Sequence, residues 1–427
     1  MAGKSRWANV GAVLAVLAGV MLFSGVFCGP AMAQEQWLGY RSATSAYGHI
    51  GSTSGQKFCP QGMAPAGVAL PAFNDKEPLF ALWKVDIGKL TGPAARDGGL
   101  WLALDRSGKG RLSGLYDLLY IDANGNGSLA DEKPIRASHV FFDWHFEGSP
   151  VGGSFNMVRI VLAGDDGPIT YHAGVDYQRK AGKPYELRVE CTGWYEGQVV
   201  IGGRKFTCSV IDNNANGRFG ERSAKPDQCD RLILRPYSPG MGPQEQVDVA
   251  SAPIGRYVLV EGKYYSMETA PDGATVKFTA AKVPTGTIRP GEGVTSLKVA
   301  GPAGTFEIDV RDGVVEVPED EYVVLSYSIT RKDAKGNTWC VREANPFKDK
   351  PLAVRAGSET KIEVGEPFAW FVSASSAEQG LYRISQGLRT LRGDDVRLTC
   401  NGDRLPVKVR ITNADKTYDR TFSMEYG

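Results

Sequence analysis

The sequence predicts an all-β protein, in which a larger N-terminal β domain precedes two β-sandwich units. Glycine and proline make up about 18% of the 427 residues, against roughly 12% in average proteins, which leaves little room for long helices. Apolar and polar residues alternate over several short segments, as in half-buried strands. Turn residues separate these segments at intervals of roughly 8–12 residues, a spacing typical of β-sandwiches.

The pattern of strands and breaks divides the chain into units. Residues 34–72 are rich in Gly, Ser, Ala and Pro and show no sustained period, which predicts a mostly flexible lead-in. The N-terminal β domain is predicted for residues 73–240, where a proline-rich stretch ends it. A β-sandwich is predicted for residues 255–345 and a last β unit for residues 352–427.

Turn chemistry supports the strands inside each unit. Gly202-Gly203 separates two alternating segments of the N-terminal domain. In the second unit, Asp312-Gly313 suits the positive φ angles of a type I′ hairpin. The tail, residues 406–427, is loosely similar to the closing strands of immunoglobulin-like modules in exported bacterial proteins.

The N-terminus has the three parts of a secretory signal peptide. Lys4 and Arg6 precede an uncharged apolar run over residues 10–27, and small residues follow at Ala31 and Ala33. We therefore expect cleavage after Ala33 and export to the periplasm, the cell surface or the medium. The apolar run is also just long enough to span a bilayer, so retention as an anchor stays open. The sequence predicts no membrane span in the mature chain.

Charge excludes one class of partner. Lys plus Arg is 49 and Asp plus Glu is 48, so the chain lacks the excess of basic residues that nucleic-acid binders usually show. We expect no nucleic-acid partner.

Six cysteines follow the predicted cleavage site, an even number that is compatible with three disulfides in an exported chain. The first predicted pair joins two strand-like segments of the last third, and the second brackets one of the loops described next. The pairs are Cys340–Cys400, Cys208–Cys229 and Cys59–Cys191, with Cys191–Cys208 as an alternative.

Two segments share one unusual pattern. Each follows a predicted strand. When its first Asp is counted as position 1, each has Asn at positions 3 and 5, Gly at 6, an apolar residue at 8 and a carboxylate at 10. The segments are Asp122-Ala-Asn124-Gly-Asn126-Gly127-Ser128-Leu129-Ala-Asp131 and Asp212-Asn-Asn214-Ala-Asn216-Gly217-Arg218-Phe219-Gly-Glu221.

Alternating oxygen donors of this kind suit calcium. The ion takes six to eight oxygen ligands at about 2.3–2.6 Å, and a tight loop with an oxygen at every second position wraps them round one centre. Gly at position 6 permits the sharp turn, and the backbone carbonyl at position 7 adds a ligand whatever its side chain.

The pattern resembles the D-x-[DN]-x-[DN]-G calcium loop of EF-hand and dockerin modules over about 11 residues in each copy. It departs from the twelve-residue loop at position 12, where Lys133 or Ser223 replaces the bidentate Glu. The carboxylate at position 10 looks instead like shortened loops in exported bacterial proteins. The flanking segments are predicted strands, so a calcium-sensor pair of helices is not implied.

The sequence therefore predicts two structural calcium sites. Because Asn replaces Asp at positions 3 and 5, we expect weak affinity, with a Kd of about 10⁻⁴–10⁻³ M. The predicted ligands are Asp122, Asn124, Asn126, Ser128 and Asp131 in one site and Asp212, Asn214, Asn216, Arg218 and Glu221 in the other, with Ser128 and Arg218 contributing carbonyl oxygens.

Simpler interpretations compete with each motif. Asn-Gly segments also form ordinary turns. Residues 105–112 imitate the calcium pattern, but Lys109 at position 5 would repel a cation, so we expect a turn. His139, Asp143 and His145 share a strand face, which is more often a solvated surface than a metal site. Residues 54–57 match the S-x-x-K of penicillin-recognising enzymes by chance, since the partner motifs are missing.

No convergent acid–base group, phosphate loop, G-x-S-x-G or H-E-x-x-H is present. The leading hypothesis is accordingly a non-enzymatic, calcium-stabilised structural or adhesive protein at the cell surface, whose partner is a surface protein or a polysaccharide. The alternative is an extracellular hydrolase or a carbohydrate-binding accessory protein.

Overall fold

In the fold, given by a computed structural model, almost all of the regular secondary structure is β-strand. The structure describes residues 34–44, 47–108, 114–141, 151–179, 182–223, 225, 228–237, 252–344, 351–378, 381–390, 393 and 395–424. Within these ranges the helices are α1 (Tyr47–Ile50) and α2 (Gly92–Asp97), of 4 and 6 residues. The prediction of an all-β fold is confirmed.

The strands of the first part of the chain are β1 (Glu35–Trp37), β2 (Gly39–Ser42), β3 (Gln56–Phe58), β4 (Leu79–Lys84), β5 (Gly99–Asp105), β6 (Leu118–Ile121), β7 (Ile135–Arg136), β8 (His139–Phe141), β9 (Val151–Ala163), β10 (Pro168–Arg179), β11 (Glu186–Cys191), β12 (Gly193–Ile201), β13 (Arg204–Ile211), β14 (Arg231–Pro236) and β15 (Ala252–Pro253).

The strands of the second part are β16 (Tyr257–Val260), β17 (Lys263–Thr269), β18 (Thr275–Ala280), β19 (Thr285–Arg289), β20 (Ser296–Gly301), β21 (Gly304–Asp309), β22 (Val315–Pro318), β23 (Asp320–Lys332), β24 (Thr338–Ala344), β25 (Leu352–Val354), β26 (Glu359–Lys361), β27 (Phe368–Glu378), β28 (Leu381–Thr390), β29 (Asp395–Cys400), β30 (Asp403–Arg404), β31 (Val407–Thr412) and β32 (Asp419–Met424).

Most strands pair with their neighbours in sequence as antiparallel meanders. The sheets that carry the candidate loops have the orders β4-β5-β6-β7 and β15-β14-β13-β12-β2, and a third sheet has the order β3-β11-β10-β9-β8. The strands from β16 to β18 form a sheet with β1. The largest sheet, with the order β21-β20-β23-β24-β29-β28-β27, lies in the second part of the chain, where β31 and β32 form a separate hairpin.

Two hydrophobic cores form where alternating strands turn one face inward. The first draws residues from the sheets before β16, including Trp83, Leu119 and Val210, and continues into Met267 of β17. The second centres on Phe306, Tyr322 and other residues of β19–β26. Residues Glu35–Gly427 form one compact unit, and the predicted domain boundaries inside it stay predictions.

The predicted lead-in, residues 34–72, contains three strands among its described residues, and its flexibility stays a prediction. Strand β1 pairs with β18, β2 with β12, and β3 with β11. These strands are only three or four residues long, too short to show a period of two. Their order comes from distant partners that composition does not reveal.

The predicted disulfides are wrong: none joins any two of the six cysteines in the described part of the chain. In the register of β24 and β29, Cys340 lies opposite Thr399, and Cys400 lies opposite Trp339. Because side chains alternate between faces along a strand, the two cysteines point to opposite sides of the sheet.

The other predicted pairs are replaced by separate contacts. Cys208 lies in the first core, whereas the Cys229 thiol donates to the Ser223 carbonyl at 3.0 Å. The thiol of Cys191 donates to the Gly193 carbonyl at 2.7 Å, and Cys59 is exposed.

The predicted signal peptide, residues 1–33, lies outside the described residues. Among the residues that are described, neither helix has the length and apolar character needed to cross a bilayer.

Candidate metal-binding loops

The two predicted loops occupy equivalent places in their sheets. Loop 1 (residues 122–131) leads from β6 to β7, and loop 2 (residues 212–221) leads from β13 to β14. In both cases the two strands are antiparallel neighbours. The sequence motif thus corresponds to one structural element that occurs twice.

The Asp at position 1 closes each loop from the inside. Asp122 is fully buried, and its carboxylate accepts the backbone N–H groups of Asn126 at 3.0 Å and Gly127 at 2.8 Å. In loop 2, Asp212 is buried to the same degree and accepts the equivalent groups at 3.3 and 2.6 Å. A buried carboxylate needs such donors because it has lost its water.

The Asn side chains at positions 3 and 5 form consecutive turns. In loop 1, Oδ1 of Asn124 accepts the Asn126 N–H at 3.0 Å, and Oδ1 of Asn126 accepts the Ser128 N–H at 2.7 Å. The same two bonds in loop 2 measure 3.1 and 2.9 Å. These bonds are Asx turns, in which Asn satisfies the backbone two residues ahead.

The carboxylate at position 10 lies within reach of both amides. Nδ2 of Asn124 and Nδ2 of Asn126 donate to Asp131 Oδ2 at 3.2 and 2.8 Å. In loop 2, the corresponding amides donate to Glu221 Oε2 at 3.0 and 2.5 Å. The structure therefore brings positions 1, 3, 5 and 10 of each loop together.

Position 7 was predicted to act through its carbonyl oxygen, and its side chains make contacts of their own. Ser128 Oγ accepts the Ala130 N–H at 3.2 Å. The Arg218 guanidinium forms an ion pair of 3.0 Å with Asp86.

The residues at position 8 fix each loop to the fold. Leu129 and Phe219 are both buried. Their backbone N–H groups donate to carbonyls of distant segments, Ala69 and Pro271, at 2.8 Å in each case.

The side chains at positions 1, 3, 5 and 10 contain oxygen atoms of the kind that calcium binds. The Asn amides, however, direct their nitrogen atoms, and not their oxygen atoms, at the position-10 carboxylate. Each Asn presents N–H groups to the position-10 carboxylate, and within the described ranges no group of three or more His, Cys, Asp or Glu side chains is placed to hold a metal ion. A half-turn of each carboxamide would exchange its oxygen and nitrogen. It would bring hard oxygen donors next to the carboxylates, at the cost of the hydrogen bonds to Asn126 N–H and Ser128 N–H.

One further carboxylate beside each loop was not predicted from the sequence. Glu132, directly after loop 1, accepts the backbone N–H of Ala123 at 2.9 Å. In loop 2, Asp230 accepts the N–H groups of Asn213 at 3.1 Å and Glu221 at 2.8 Å. Each of these carboxylates thus accepts the backbone N–H of position 2 and connects it to the end of the loop. Glu132 could have been found by its place beside position 10, but Asp230 is nine residues beyond loop 2 and carried no signal.

Burial sets the protonation behaviour of these groups. Desolvation raises the pKa of Asp122 and of Glu132. In contrast, the exposed Asp131 has a lowered pKa because Ser128 and Asn126 donate hydrogen bonds to it. Loop 1 and the adjoining Glu132 therefore combine one exposed, readily ionised carboxylate with two that resist ionisation.

Loop 2 holds a more strongly perturbed pair. Asp212 and Asp230 are both fully buried, and desolvation raises the pKa of each carboxyl group. The charge on Asp212 raises the pKa of Asp230 further. Each of these carboxylates would be stabilised by a nearby cation or by a proton.

One segment, residues 83–94, contacts both loops, and we name it the bridge segment. On the side of loop 2, the indole N–H of Trp83 donates to the Ala215 carbonyl at 2.7 Å, and the Asp86 N–H donates to the Asn216 carbonyl at 2.7 Å. On the side of loop 1, the Thr91 N–H donates to the Gly125 carbonyl at 2.8 Å.

Close packing accompanies these bonds. A Cβ atom at Gly217 would lie 2.5 Å from a side-chain carbon of Ile87, and one at Gly127 would lie 2.6 Å from Pro93 Cδ. The glycine at position 6 is thus required twice: for its left-handed φ angle, 77° in loop 1 and 90° in loop 2, and for the approach of the bridge segment.

The competing motifs form no catalytic group among the described residues. Ser54 Oγ accepts a hydrogen bond from the side chain of Asn213, and Lys57 forms an ion pair with Glu186. His139 is exposed on β8; Asp143 and His145 lie outside the described residues.

In the similar segment at residues 105–112, the buried Asp at position 1 accepts hydrogen bonds from different partners than in loops 1 and 2. Asp105 accepts backbone N–H groups from Asn74 at 3.0 Å and Asp75 at 2.9 Å. These donors come from a separate segment of the chain. Residues 109–112 lie outside the described residues, so the predicted turn there stays a prediction.

Comparison with known proteins adds no relative from which a role could be transferred. No protein-family model, no curated protein and no solved structure matches this chain.

Proposed function

We propose that this chain is an exported, non-enzymatic structural or adhesive protein of the cell surface, in which loops 1 and 2 each bind one calcium ion. Calcium acts here as a staple between neighbouring strands. The protein's own oxygens would hold the ion: carboxylates at positions 1 and 10, amide oxygens at positions 3 and 5, and the carbonyl at position 7.

One observation carries the proposal: the same hydrogen-bonded arrangement of positions 1, 3, 5 and 10 occurs in both loops. An ordinary turn needs only one or two Asx bonds. Here two polar side chains and two carboxylates converge twice, at equivalent places between antiparallel strands. The paired Asp212 and Asp230 add an electrostatic argument, because a divalent cation would offset the charge that burial penalises.

An adhesive role is supported by the ribbon formed by β27 and β28. Among the described residues, only Leu388 and Arg389 of β28 pair with β29. On one face of the ribbon, Trp370, Val372 and Tyr382 are 59%, 65% and 72% exposed. Exposed aromatic and apolar side chains on one surface are typical of binding sites for proteins or polymers.

Calorimetric titration of the full chain with calcium tests the proposal. We expect two binding events in the wild type, one in Asp131→Asn, one in Glu221→Gln and none in the double variant. Both substituted residues have side chains at the outer end of a loop, so neither change empties the core. Magnesium should bind poorly, because it demands a tight octahedron and gives up water reluctantly.

Asp333 provides a matched control. Its carboxylate accepts the N–H groups of Lys335 and Asn337, both at 2.9 Å, in a turn outside the two loops. Asp333→Asn should leave both binding events intact. Two unchanged binding events in the double variant would show that loops 1 and 2 are ordinary turns.

A further inference from the structure

The bridge segment is a short, anchored connection rather than a slack one. Its contacts with the two loops, at Asp86 and Thr91, are five residues apart, a span of at most about 18 Å even when fully extended. Between them, the Lys89 N–H donates to the Ala163 carbonyl of β9 at 2.7 Å. A Cβ at Gly88 would lie 2.6 Å from Leu162, so β9 also packs tightly against the middle of the segment.

The same strand also contacts loop 1. Leu162 and Leu90 would lie 2.8 and 3.0 Å from a Cβ at Gly125, and the Val161 N–H donates to the Ala123 carbonyl at 2.9 Å. Loop 1 is therefore in contact both with the bridge segment and with β9, the strand that anchors this segment.

We propose that loops 1 and 2 open and close as one unit, coupled through the bridge segment. If loop 2 opens, Trp83 and Asp86 lose the carbonyls of Ala215 and Asn216, and Ile87 loses its contact with Gly217. A slack connection would absorb that change. Because this segment is held along its length and is close-packed at both ends, the displacement reaches Leu90, Thr91 and Pro93, which contact loop 1.

A consequence for calcium follows and rests on the proposed function: the two sites bind the ion cooperatively. An ion that closes one loop would also order the bridge segment. Closing the second loop would then cost less conformational entropy. The coupling itself does not depend on calcium, and the two statements have separate tests.

Native-state hydrogen exchange of the full chain, with a chelator present, tests the coupling. The reporters are the N–H groups of Gly127 and Gly217, which donate to equivalent carboxylates. Asn216→Ala opens loop 2 by removing the amide that contacts Arg218 N–H and Glu221, and it leaves the buried Asp212 unchanged. We expect exchange at Gly217 to accelerate and exchange at Gly127 to accelerate with it, by at least about tenfold.

Two further variants keep the test specific. Asp333→Asn, which disrupts a turn far along the chain, should leave the exchange of Gly127 unchanged. Ile87→Ala weakens the contact between the bridge segment and loop 2, so in that background Asn216→Ala should affect Gly127 less. Acceleration at Gly217 with no change at Gly127 would overturn the proposal, as would an equal effect from Asp333→Asn.

Calcium titration then tests the consequence. The wild type should bind two ions with a Hill coefficient above 1, and Asn216→Ala should weaken binding at loop 1 at least about fivefold. Two independent sites would contradict cooperativity. A wild type that binds no calcium would remove the proposed function and leave the exchange result to decide whether the loops are coupled.

Discussion

The phenol hydroxyl of Tyr171 donates a hydrogen bond of 2.8 Å to Oδ2 of Asp212, the oxygen that also accepts the Gly217 N–H. Tyr171 lies on β10 and Asp212 directly follows β13, so this bond joins two different sheets. Both residues are buried. Loop 2 is thus fixed to the fold by a hydrogen bond that reaches its buried carboxylate from a strand of another sheet.

Tyr171→Phe should lower the free energy of unfolding by about 2–3 kcal/mol at pH 8, since hydrogen bonds to charged groups contribute about 1.5–3 kcal/mol. Tyr322→Phe is the matched control. Tyr322 is equally buried, but its hydroxyl donates to a neutral acceptor, the Pro318 carbonyl, at 2.8 Å. We expect its loss to cost about 1 kcal/mol. Equal values in urea unfolding would show that Asp212 is not charged in the folded protein.

The buried pair of loop 2 predicts a pH dependence. Burial raises the folded-state pKa values of Asp212 and Asp230 above the ordinary value of about 3.9. Above that value the folded state then binds more protons than the unfolded state, so this contribution to stability decreases as pH rises. In chelator, Asp230→Asn should make the decline between about pH 4.5 and 8 less steep in urea titrations.

The pKa of Asp333 is shifted in the opposite direction, and this residue serves as the control. Hydrogen bonds from Trp339 and Asn337 lower its pKa to about 2, so its contribution is present above the ordinary pKa and lost as pH falls towards 2. Asp333→Asn should leave the slope between about pH 4.5 and 8 unchanged. A slope in Asp230→Asn identical to the wild type would contradict the assignment of the pH dependence to loop 2.

The close approach at Gly127 predicts a large effect of one methyl group. A Cβ there would lie 2.6 Å from both the Ala94 backbone nitrogen and Pro93 Cδ, at a φ of 77°. Gly127→Ala should destabilise the protein by about 2–4 kcal/mol, through backbone strain and overpacking together.

Gly262 separates these two causes. It has a similar φ of 75°, and an added Cβ would meet nothing within 4 Å. Gly262→Ala should therefore cost only the strain, about 1 kcal/mol. If thermal denaturation gives the two variants equal stability, the bridge segment does not restrict loop 1.

Calcium removal should lower the melting temperature by a few degrees. At a calcium concentration of about ten times Kd, each site adds about 1.4 kcal/mol, and for a domain of about 150–250 residues each kcal/mol corresponds to about 2–4 °C. Differential scanning calorimetry with and without chelator measures the shift. The shift should vanish in the double variant Asp131→Asn, Glu221→Gln; a shift of the same size there would place the responsible ion elsewhere.

The all-β fold and the convergence within each loop could be predicted from local pattern. Asp122, Asn124, Asn126 and Asp131 act on one another over ten residues, and local turn chemistry determines which of them meet. The orientation of the amides could not be predicted, because it depends on whether Asn126 N–H and Ser128 N–H take their acceptors from the loop itself.

Contacts between distant segments could not be predicted from the sequence. Asp230 reaches loop 2 only because β14 pairs with β13, and the bridge segment reaches both loops only because the sheets pack together. The predicted Cys340–Cys400 disulfide was wrong for the same reason, because it too depends on how two distant strands pair. Both residues do lie on neighbouring strands, but a register offset of one residue reverses the face of a side chain.

The pairing of β1 with β18 has a consequence for how the chain reaches its native state. Glu35 lies opposite Lys277, so the first strand has no partner until roughly 240 further residues exist. At the usual synthesis rate of about 5–20 residues per second, this wait lasts on the order of 10–50 s. Contacts of such long sequence separation also slow folding after synthesis. Until β18 has been made, the edge of β1 that pairs with it has no partner.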